Sequence, residues 1–191
     1  LDPEKDPLAR VIPADQHALF SSSFSDMMTL MDEAKESGTP VLRLLEPRSE
    51  TARSHQRYEK QLCLETSVLS RILGPQLIKG VAFTGADPYL RTGADLAGLF
   101  EAREPATLYQ AVRTRQKTAD QQSSVSHVEG SIGDAHYVGV RSPDRSVCSY
   151  LTRVEDTIIV TNSTAQLQRI LETSSGERED LASLPQYTFF R

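Results

Sequence analysis

Two histidines and one aspartate lie within ten residues of one another, in a part of the chain with strand signals. His127 and His136 fall on neighbouring strand candidates, and Asp134 falls in the turn between them. Imidazole nitrogens and carboxylate oxygens are common ligands of zinc. If the hairpin held all three on one face, they would form a metal-dependent, hydrolase-like site. Two ordinary, half-exposed strand histidines are the alternative interpretation.

A second group of candidates consists of carboxylates. Asp87 and Asp95 flank a linker, and Glu101 follows further along the chain. If they met at one end of a strand pair, their oxygens would suit Ca²⁺ or Mg²⁺. The Asp-x-Asp-x-Asp spacing of dedicated calcium loops is absent, and Asp87-Pro88 also fits ordinary turn formation. The hard-cation site and the plain turn both stay open.

Sequence motifs for other kinds of chemistry are missing. The chain contains no Gly-x-Ser-x-Gly nucleophile turn and no glycine-rich phosphate-binding loop. Cys63 lies in a helical pattern and Cys148 in a strand pattern, without metal-ligand spacing, and whether they pair as a disulfide stays open. The sequence therefore predicts no catalytic residue and no cofactor, and it favours a non-catalytic protein.

The charge distribution bears on the class of partner. The formal net charge of -5 argues against nucleic acid or an anionic membrane as the main partner. Arg113, Arg115 and Lys117 form a basic group, but cations in the last turn of a helix are explained by the helix dipole. No apolar run is long enough to span a bilayer, so we expect no membrane insertion by this segment.

Helical signals dominate before residue 77. Ser23 and Asp26 form a capping pattern, and the apolar period that follows predicts a helix ending at Gly38 and Pro40. A short apolar stretch comes next at 41–45. A second helical region then runs from Tyr58 and is predicted to stop at Gly74-Pro75.

Strand signals dominate after residue 77. Two strands, at 81–83 and 95–100, precede a helix that begins at Pro105. Four closely spaced strands then predict an antiparallel meander, followed by a helix capped by Ser163 and Gln166 and closed by Gly176. The four strand candidates cover 125–129, 136–141, 147–154 and 157–161.

This order of elements predicts an α+β fold, with a mainly antiparallel sheet and helices packed on one face. Two strand-then-helix halves, 77–117 and 125–176, have the element order of a diverged β-β-α duplication. We expect one domain over 1–191. Its predicted parts are an extended lead-in (1–16), a mainly helical part (17–76), a sheet-rich part (77–176) and an exit segment (177–191).

Three stretches of the chain share a pattern of apolar strands and helix caps. They are Ile12–Phe20, then Leu73-Gly74 leading into Val81–Gly85 and Asp95–Ala102, and finally Ile158–Leu171 with Leu181–Pro185 downstream. In this pattern the chain resembles a family of uncharacterised bacterial domains found in large exported or membrane-associated proteins. Together they cover less than half of the chain. The resemblance implies a sheet-plus-helices domain in a longer, extracytoplasmic bacterial protein. It implies no catalytic residues.

The two ends of the chain suggest a domain of a longer polypeptide. The sequence starts at Leu1 rather than at methionine, and it ends on an aromatic segment. Tyr187, Phe189 and Phe190 predict a strand or strap that contacts other domains of the same chain. We therefore expect a non-catalytic structural or interaction domain of a larger, envelope-associated bacterial protein. The metal-dependent site described above is the alternative.

Overall fold

The computed structural model describes residues 7–33, 54–64, 68–86, 94–120 and 125–190. The strands of this part are β1 (His17–Ser21), β2 (Ile78–Gly85), β3 (Leu96–Ala102), β4 (Ser126–Ile132), β5 (Ala135–Arg141), β6 (Cys148–Val154) and β7 (Thr157–Thr161). The helices are α1 (24–33), α2 (Ser54–Leu62), α3 (Val68–Leu77), α4 (Pro105–Asp120), α5 (Thr164–Ser174) and α6 (Pro185–Phe190). Two 3₁₀ turns, Pro7–Arg10 and Leu181–Ser183, complete the described elements.

The seven described strands form a single antiparallel sheet in the order β1-β2-β3-β7-β6-β5-β4. Two meanders build it: β1 to β3, and β4 to β7. Helix α4 carries the chain from β3 to the far edge of the sheet, so that the second meander returns and pairs β7 with β3. Leu99 and Ile159, opposite each other at the centre of this pairing, are fully buried.

Helices cover both faces of the sheet. Leu99 and Ile159 pack with Leu167 and Ile170 of α5 on one side, which we call the α5 face. The helices α1, α2 and α4 contribute to a separate core on the other side, which we call the α4 face. That core is centred on Phe100, Ile158, Val160, Leu108 and Val112.

The sequence therefore predicted the α+β class and the antiparallel sheet correctly, but the placement of the helices on one face was wrong. The physical reason lies in the central strands. In β7 all five residues are buried, including the consecutive Ile158, Ile159 and Val160. Such a strand directs apolar side chains to both faces, and both must be covered. The helices α4 and α5 lie on opposite faces, so the arrangement gives no support to a β-β-α duplication.

Several predicted local signals are present in the structure. Ser163 accepts a hydrogen bond from the backbone N–H of Gln166 at 3.3 Å, and Ser23 does the same for Asp26 at 3.3 Å. Helix α4 begins at Pro105 as predicted. Gly133, with φ of 55°, opens the two-residue turn between β4 and β5. The four-strand meander is confirmed, because β4 to β7 pair in chain order.

Helix α3 passes through Gly74-Pro75, where the sequence predicted its end. It continues to Leu77, and β2 begins at the next residue. Pro75 is tolerated because the helix ends only two residues later, so the missing backbone donor disturbs only the last turn. Gly74 is buried against the ring of Phe24, where a side chain would overlap the aromatic carbons. The glycine therefore permits close packing of α3 on α1.

The two ends of the described chain also differ from their predicted form. Residues 7–16, predicted as an extended lead-in, include a 3₁₀ turn, and Leu8 and Ile12 are fully buried in the core of the α5 face. The aromatic exit segment forms the helix α6 rather than a strand. Its Tyr187 lies against Phe20, with ring centroids 6.1 Å apart. The side chains of Phe189 and Phe190 lie outside the described residues, as do the predicted helix end at 38–40 and the apolar stretch 41–45.

Two strand glycines provide a test of the sheet packing. At Gly139 in β5 an added Cβ would overlap the Ser149 carbonyl oxygen of β6, whereas at Gly80 in β2 it would make an ordinary 3.4 Å contact with Glu101. We predict that Gly139→Ala lowers the free energy of unfolding by about 1–3 kcal/mol. Gly80→Ala should change it by less than about 1 kcal/mol. Urea unfolding followed by circular dichroism measures both, and equal losses in the two variants would contradict the described β5–β6 approach.

Candidate functional site

A cleft of about 630 Å³ opens at the end of the sheet where β3 begins and β7 ends. Helix α2 forms one wall, and the loop between β5 and β6, residues 142–147, forms the opposite wall. We call it the α2 cleft. It is lined by Arg57, Lys60, Gln61, Ala94, Asp95, Asp144, Arg145, Ser146 and Asn162.

Asn162, the residue after β7, forms the centre of this site. It is 5% exposed, and its side chain accepts a hydrogen bond from the backbone N–H of Leu96 at 2.9 Å. Its amide group donates to the backbone oxygen of Ala94 and to the side chain of Gln61, each at 3.0 Å. A buried amide whose donors and acceptor are all bonded is held firmly in its network. Asn162 thus fixes the position of α2 relative to the start of β3.

The loop between β5 and β6 is tied to the same residue. Arg145 donates from its guanidinium to the backbone oxygen of Asn162 at 3.1 Å, and the backbone oxygen of Arg145 accepts from Gln61 at 2.9 Å. Arg145 has φ of 57°, a left-handed conformation that few non-glycine residues adopt. The hydrogen bonds on both sides of the residue stabilise this conformation. They leave the rest of the guanidinium facing the cleft.

Asp144 organises the tip of the loop. One of its carboxylate oxygens accepts from the hydroxyl of Ser142 at 2.6 Å and from the backbone N–H of Ser146 at 3.0 Å. These hydrogen bonds, chiefly the one from Ser142, lower the pKa of Asp144 from 3.8 to about 2. The carboxylate is therefore ionised throughout the physiological pH range.

Asp95, the residue before β3, lies beside Ser163, the N-cap of helix α5. The hydroxyl of Ser163 accepts from Gln166 of the first helical turn and donates to Asp95 at 3.0 Å. A carboxylate near a helix N-terminus is stabilised by the exposed N–H groups and the helix dipole. The local structure therefore accounts for both carboxylates of the cleft.

Two of the three cations that line the cleft are less fully engaged. Within the part of the chain that the structure describes, neither Lys60 nor Arg145 forms an ion pair, and both side chains are exposed. Arg57 lies over the ring of Tyr58, 4.9 Å from its centroid. The hydroxyl of that tyrosine accepts from the backbone N–H of Ala94 at 2.8 Å, which anchors this part of α2. The cleft thus presents Lys60 and Arg145 above polar groups that bond to one another.

The predicted histidine site is not assembled. His127 pairs with Val140 and His136 with Ser131, so the two histidines share a face of the sheet but lie four residues apart in register. That offset corresponds to roughly 13 Å along the strands. Instead of a metal site, His127 contacts the guanidinium of Arg113 at 3.1 Å and Glu129 at 3.8 Å. Among the described residues no three His, Cys, Asp or Glu side chains are grouped to hold a metal.

The other predicted ligands that the structure describes also lie apart from one another. Asp87 lies outside the described residues, while Asp95 lies in the α2 cleft, hydrogen-bonded to Ser163. Glu101 pairs with Lys79 at 3.3 Å near the far end of β3. Asp134 is exposed in the turn between β4 and β5. Asp95 is thus the one predicted ligand that the described structure places in the cleft.

Both cysteines are buried and form no disulfide. Cys63 packs with Val140 and Val147 on the α4 face, whereas Cys148 belongs to the core of the α5 face and contacts the backbone oxygen of Asn162 at 3.2 Å. The sheet lies between the two thiols. A disulfide between them is therefore incompatible with this fold.

Sequence reasoning did not find Gln61 or Asn162. In the sequence, Asn162 is only the residue before a helix cap, and Gln61 is one polar residue in a charged helix. Their role depends on a contact across 101 residues of chain. The only local signal is the position of a buried asparagine where a strand turns into a helix.

Comparisons of the chain with protein-family models, curated proteins and solved structures found no match. None of the helices in the described ranges has the length and apolar character needed to cross a membrane.

We predict that removing the Asn162 side chain destabilises the protein more than removing that of Gln61. Asn162→Ala leaves the backbone N–H of Leu96 and the backbone oxygen of Ala94 without their partner, which costs about 2–3 kcal/mol. Gln61→Ala should cost about 1 kcal/mol or less, because Gln61 is only half-buried and water can replace it. Urea unfolding of both variants measures the difference. A loss in Gln61→Ala as large as that in Asn162→Ala would argue against Asn162 as the centre of the site.

The pKa of Asp144 predicts a pH dependence at low pH. Because the folded protein holds this pKa at about 2, below the ordinary 3.8, the folded state favours the carboxylate. Its stabilising effect is present above the ordinary value and is lost as the pH falls from 3.8 to about 2. Asp144→Asn should therefore flatten the decline in stability over this window. A carbon NMR titration of Asp144 should show a midpoint at about 2, and a midpoint at 3.8 would refute the loop geometry.

Proposed function

We propose that this domain is a non-catalytic interaction domain that binds an acidic segment of a protein partner in the α2 cleft. The main support is a contrast between the buried and the exposed polar groups of the cleft. The buried groups, above all Asn162, bond to one another, whereas the exposed cations Lys60 and Arg145 form no ion pair among the described residues.

Preorganisation supports binding at this position. Arg145 is held by two hydrogen bonds, and Lys60 precedes Gln61 on the helix that the same network fixes. Little side-chain and loop freedom therefore remains to be lost when a ligand binds. A guanidinium can also bind a carboxylate through two parallel hydrogen bonds.

The mixed charge of the cleft favours a peptide over a phosphate group. Asp95 and Asp144 lie beside the cations, and Asp144 stays ionised because its pKa is about 2. Both carboxylates repel any anion, but a phosphate dianion brings no N–H donor to offset that repulsion. An acidic peptide offers carboxylates to Lys60 and Arg145, while its backbone N–H groups can donate to Asp95 and Asp144.

The same groups give little support to catalysis. The hydroxyl of Ser163 is occupied by the helix cap and by Asp95. The described lining of the cleft contains no histidine or cysteine that could activate a nucleophile. The separation of His127 from His136 gives no geometric support to a metal site at His127, Asp134 and His136. Asp87, which belongs to the other candidate site with Asp95, lies outside the described residues.

Two further parts of the proposal concern the setting of the domain. The sequence resemblance supports a place in a larger exported or envelope-associated bacterial protein. The aromatic segment at Tyr187, Phe189 and Phe190 supports contact with other domains of the same chain, although Tyr187 already packs on Phe20. Since the net charge of -5 opposes an acidic partner at long range, we expect weak binding that depends on local contacts.

The test is a titration with an eight-residue peptide of alternating glutamate and glycine, blocked at both ends. We predict a dissociation constant of about 0.1–1 mM for the native chain by isothermal calorimetry. Arg145→Gln should weaken binding by about tenfold, because it removes a charge-assisted hydrogen bond while keeping a polar, uncharged side chain. Lys60→Gln should weaken it by roughly threefold.

The matched control is Arg153→Gln, which removes an exposed cation at the opposite end of β6 and should leave the affinity unchanged. A peptide of alternating glutamine and glycine should not bind. If inorganic phosphate bound and the acidic peptide did not, the peptide proposal would be wrong. Equal losses in Arg153→Gln and Arg145→Gln would mean that only the overall charge matters.

A further inference from the structure

Among the described residues, the outer side of β4 is an open sheet edge whose one formally charged side chain is Glu129. β4 is last in the strand order, so this side pairs with no strand among the described residues. Its register with β5 is unbroken from Ser126 to Ile132, and the strand contains neither proline nor lysine. Edge strands are usually protected by short length, bulges, lysine or proline. β1, at the opposite edge, has only five residues.

The turn between β4 and β5 determines which backbone groups face outward. Ile132 and Ala135 flank a two-residue turn, and such flanking residues exchange their hydrogen bonds with each other. Counting back from Ile132, every second residue of β4 then forms its backbone hydrogen bonds with β5. The backbone N–H and C=O groups of His127, Glu129 and Ser131 therefore point away from the sheet.

We propose that this edge binds a second copy of the chain, with two β4 strands antiparallel about a twofold axis at Gly130. Glu129 of each copy then lies opposite Ser131 of the other, and these residues exchange backbone hydrogen bonds. Val128 of each copy lies opposite Ile132 of the other, on the α5 face. The two sheets become one continuous sheet across the interface.

The sequence of β4 selects this register among those that a twofold axis permits. Paired residues must share a face, so the axis must pass through a residue rather than between two. An axis at Glu129 would place two like carboxylates opposite each other, which is unfavourable. An axis at Val128 would leave Ile132 beyond the paired segment. An axis at Ser131 would place Val128 opposite Asp134 of the turn. The axis at Gly130 pairs apolar with apolar residues and opposes no like charges.

Tyr137 extends the apolar side of this interface. It lies opposite Gly130 on β5, and its ring covers the glycine so closely that a Cβ there would overlap the phenol. The same ring packs edge-on against Tyr150, with centroids 5.8 Å apart. Val128 and Ile132 are only half-buried beside it. A second copy would cover these three side chains.

The first test uses two variants of the exposed Ser131 that differ only in the sign of the charge. In the proposed register residue 131 faces Glu129 of the other copy. Ser131→Lys should tighten the dimer by roughly two- to thirtyfold, and Ser131→Glu should weaken it by a similar factor. Sedimentation equilibrium of the native chain and both variants measures the dissociation constants. Thermal unfolding of each variant serves as the check that the monomer is intact.

The second test fixes the register. Val128→Cys/Ile132→Cys should form intermolecular disulfides on mild oxidation, because the two positions face each other across the interface. Val128→Cys alone should not, since its counterpart is then isoleucine. The native Cys63 and Cys148 are buried, and oxidation of the unmodified chain measures any background cross-linking from them.

Three results would overturn the proposal. One is that the native chain and Ser131→Lys both remain monomeric at about millimolar concentration. Another is that Ser131→Glu forms a tighter dimer than Ser131→Lys, which would indicate a different register. The third is efficient cross-linking of Val128→Cys alone, which would place the axis at Val128.

Discussion

The hydrogen bonds of Asn162 join three parts of the fold that are far apart in the sequence: the start of β3, helix α2 and the loop between β5 and β6. Its side chain joins the first residues of β3 to α2, and its backbone oxygen accepts from the loop between β5 and β6. It lies at the end of the β3–β7 pairing, where the two meanders of the sheet meet. Because it is buried, each bond that it makes replaces one that water would otherwise supply. The shape of the α2 cleft follows from this residue.

Two other buried polar groups place the surrounding elements. Gln116 of α4 donates to the backbone and hydroxyl of Ser149, and that hydroxyl donates to the backbone oxygen of Leu62 at the end of α2. On the α5 face, Gln16 and Gln166 bond to each other at 2.6 and 2.7 Å. These amides fix α2 and α5 relative to the sheet. Polar contacts thus determine where the helices lie, while the apolar cores supply most of the driving force.

Local sequence signals were sufficient for the elements but not for their arrangement. The cap at Ser163, the start of α4 at Pro105 and the meander from β4 to β7 depend on residues close in sequence, and each is present. The face on which α5 packs, and the passage of α3 through Pro75, depend on contacts with distant residues such as Leu99 and Phe24. Periodicity alone does not contain that information. For the same reason His127 and His136 looked like partners until their register placed them apart.

The central claim is that the α2 cleft is a binding surface of mixed charge, where Lys60 and Arg145 bind the carboxylates of an acidic peptide. The most direct measurement is a ¹H–¹⁵N correlation spectrum of the native chain during titration with the glutamate–glycine peptide. We expect chemical shift changes confined to the backbone amides of Lys60, Gln61, Asp95, Asp144, Arg145, Ser146 and Asn162, saturating with a single dissociation constant. Shift changes spread over the surface without saturation, or centred on another part of the sheet, would contradict this account.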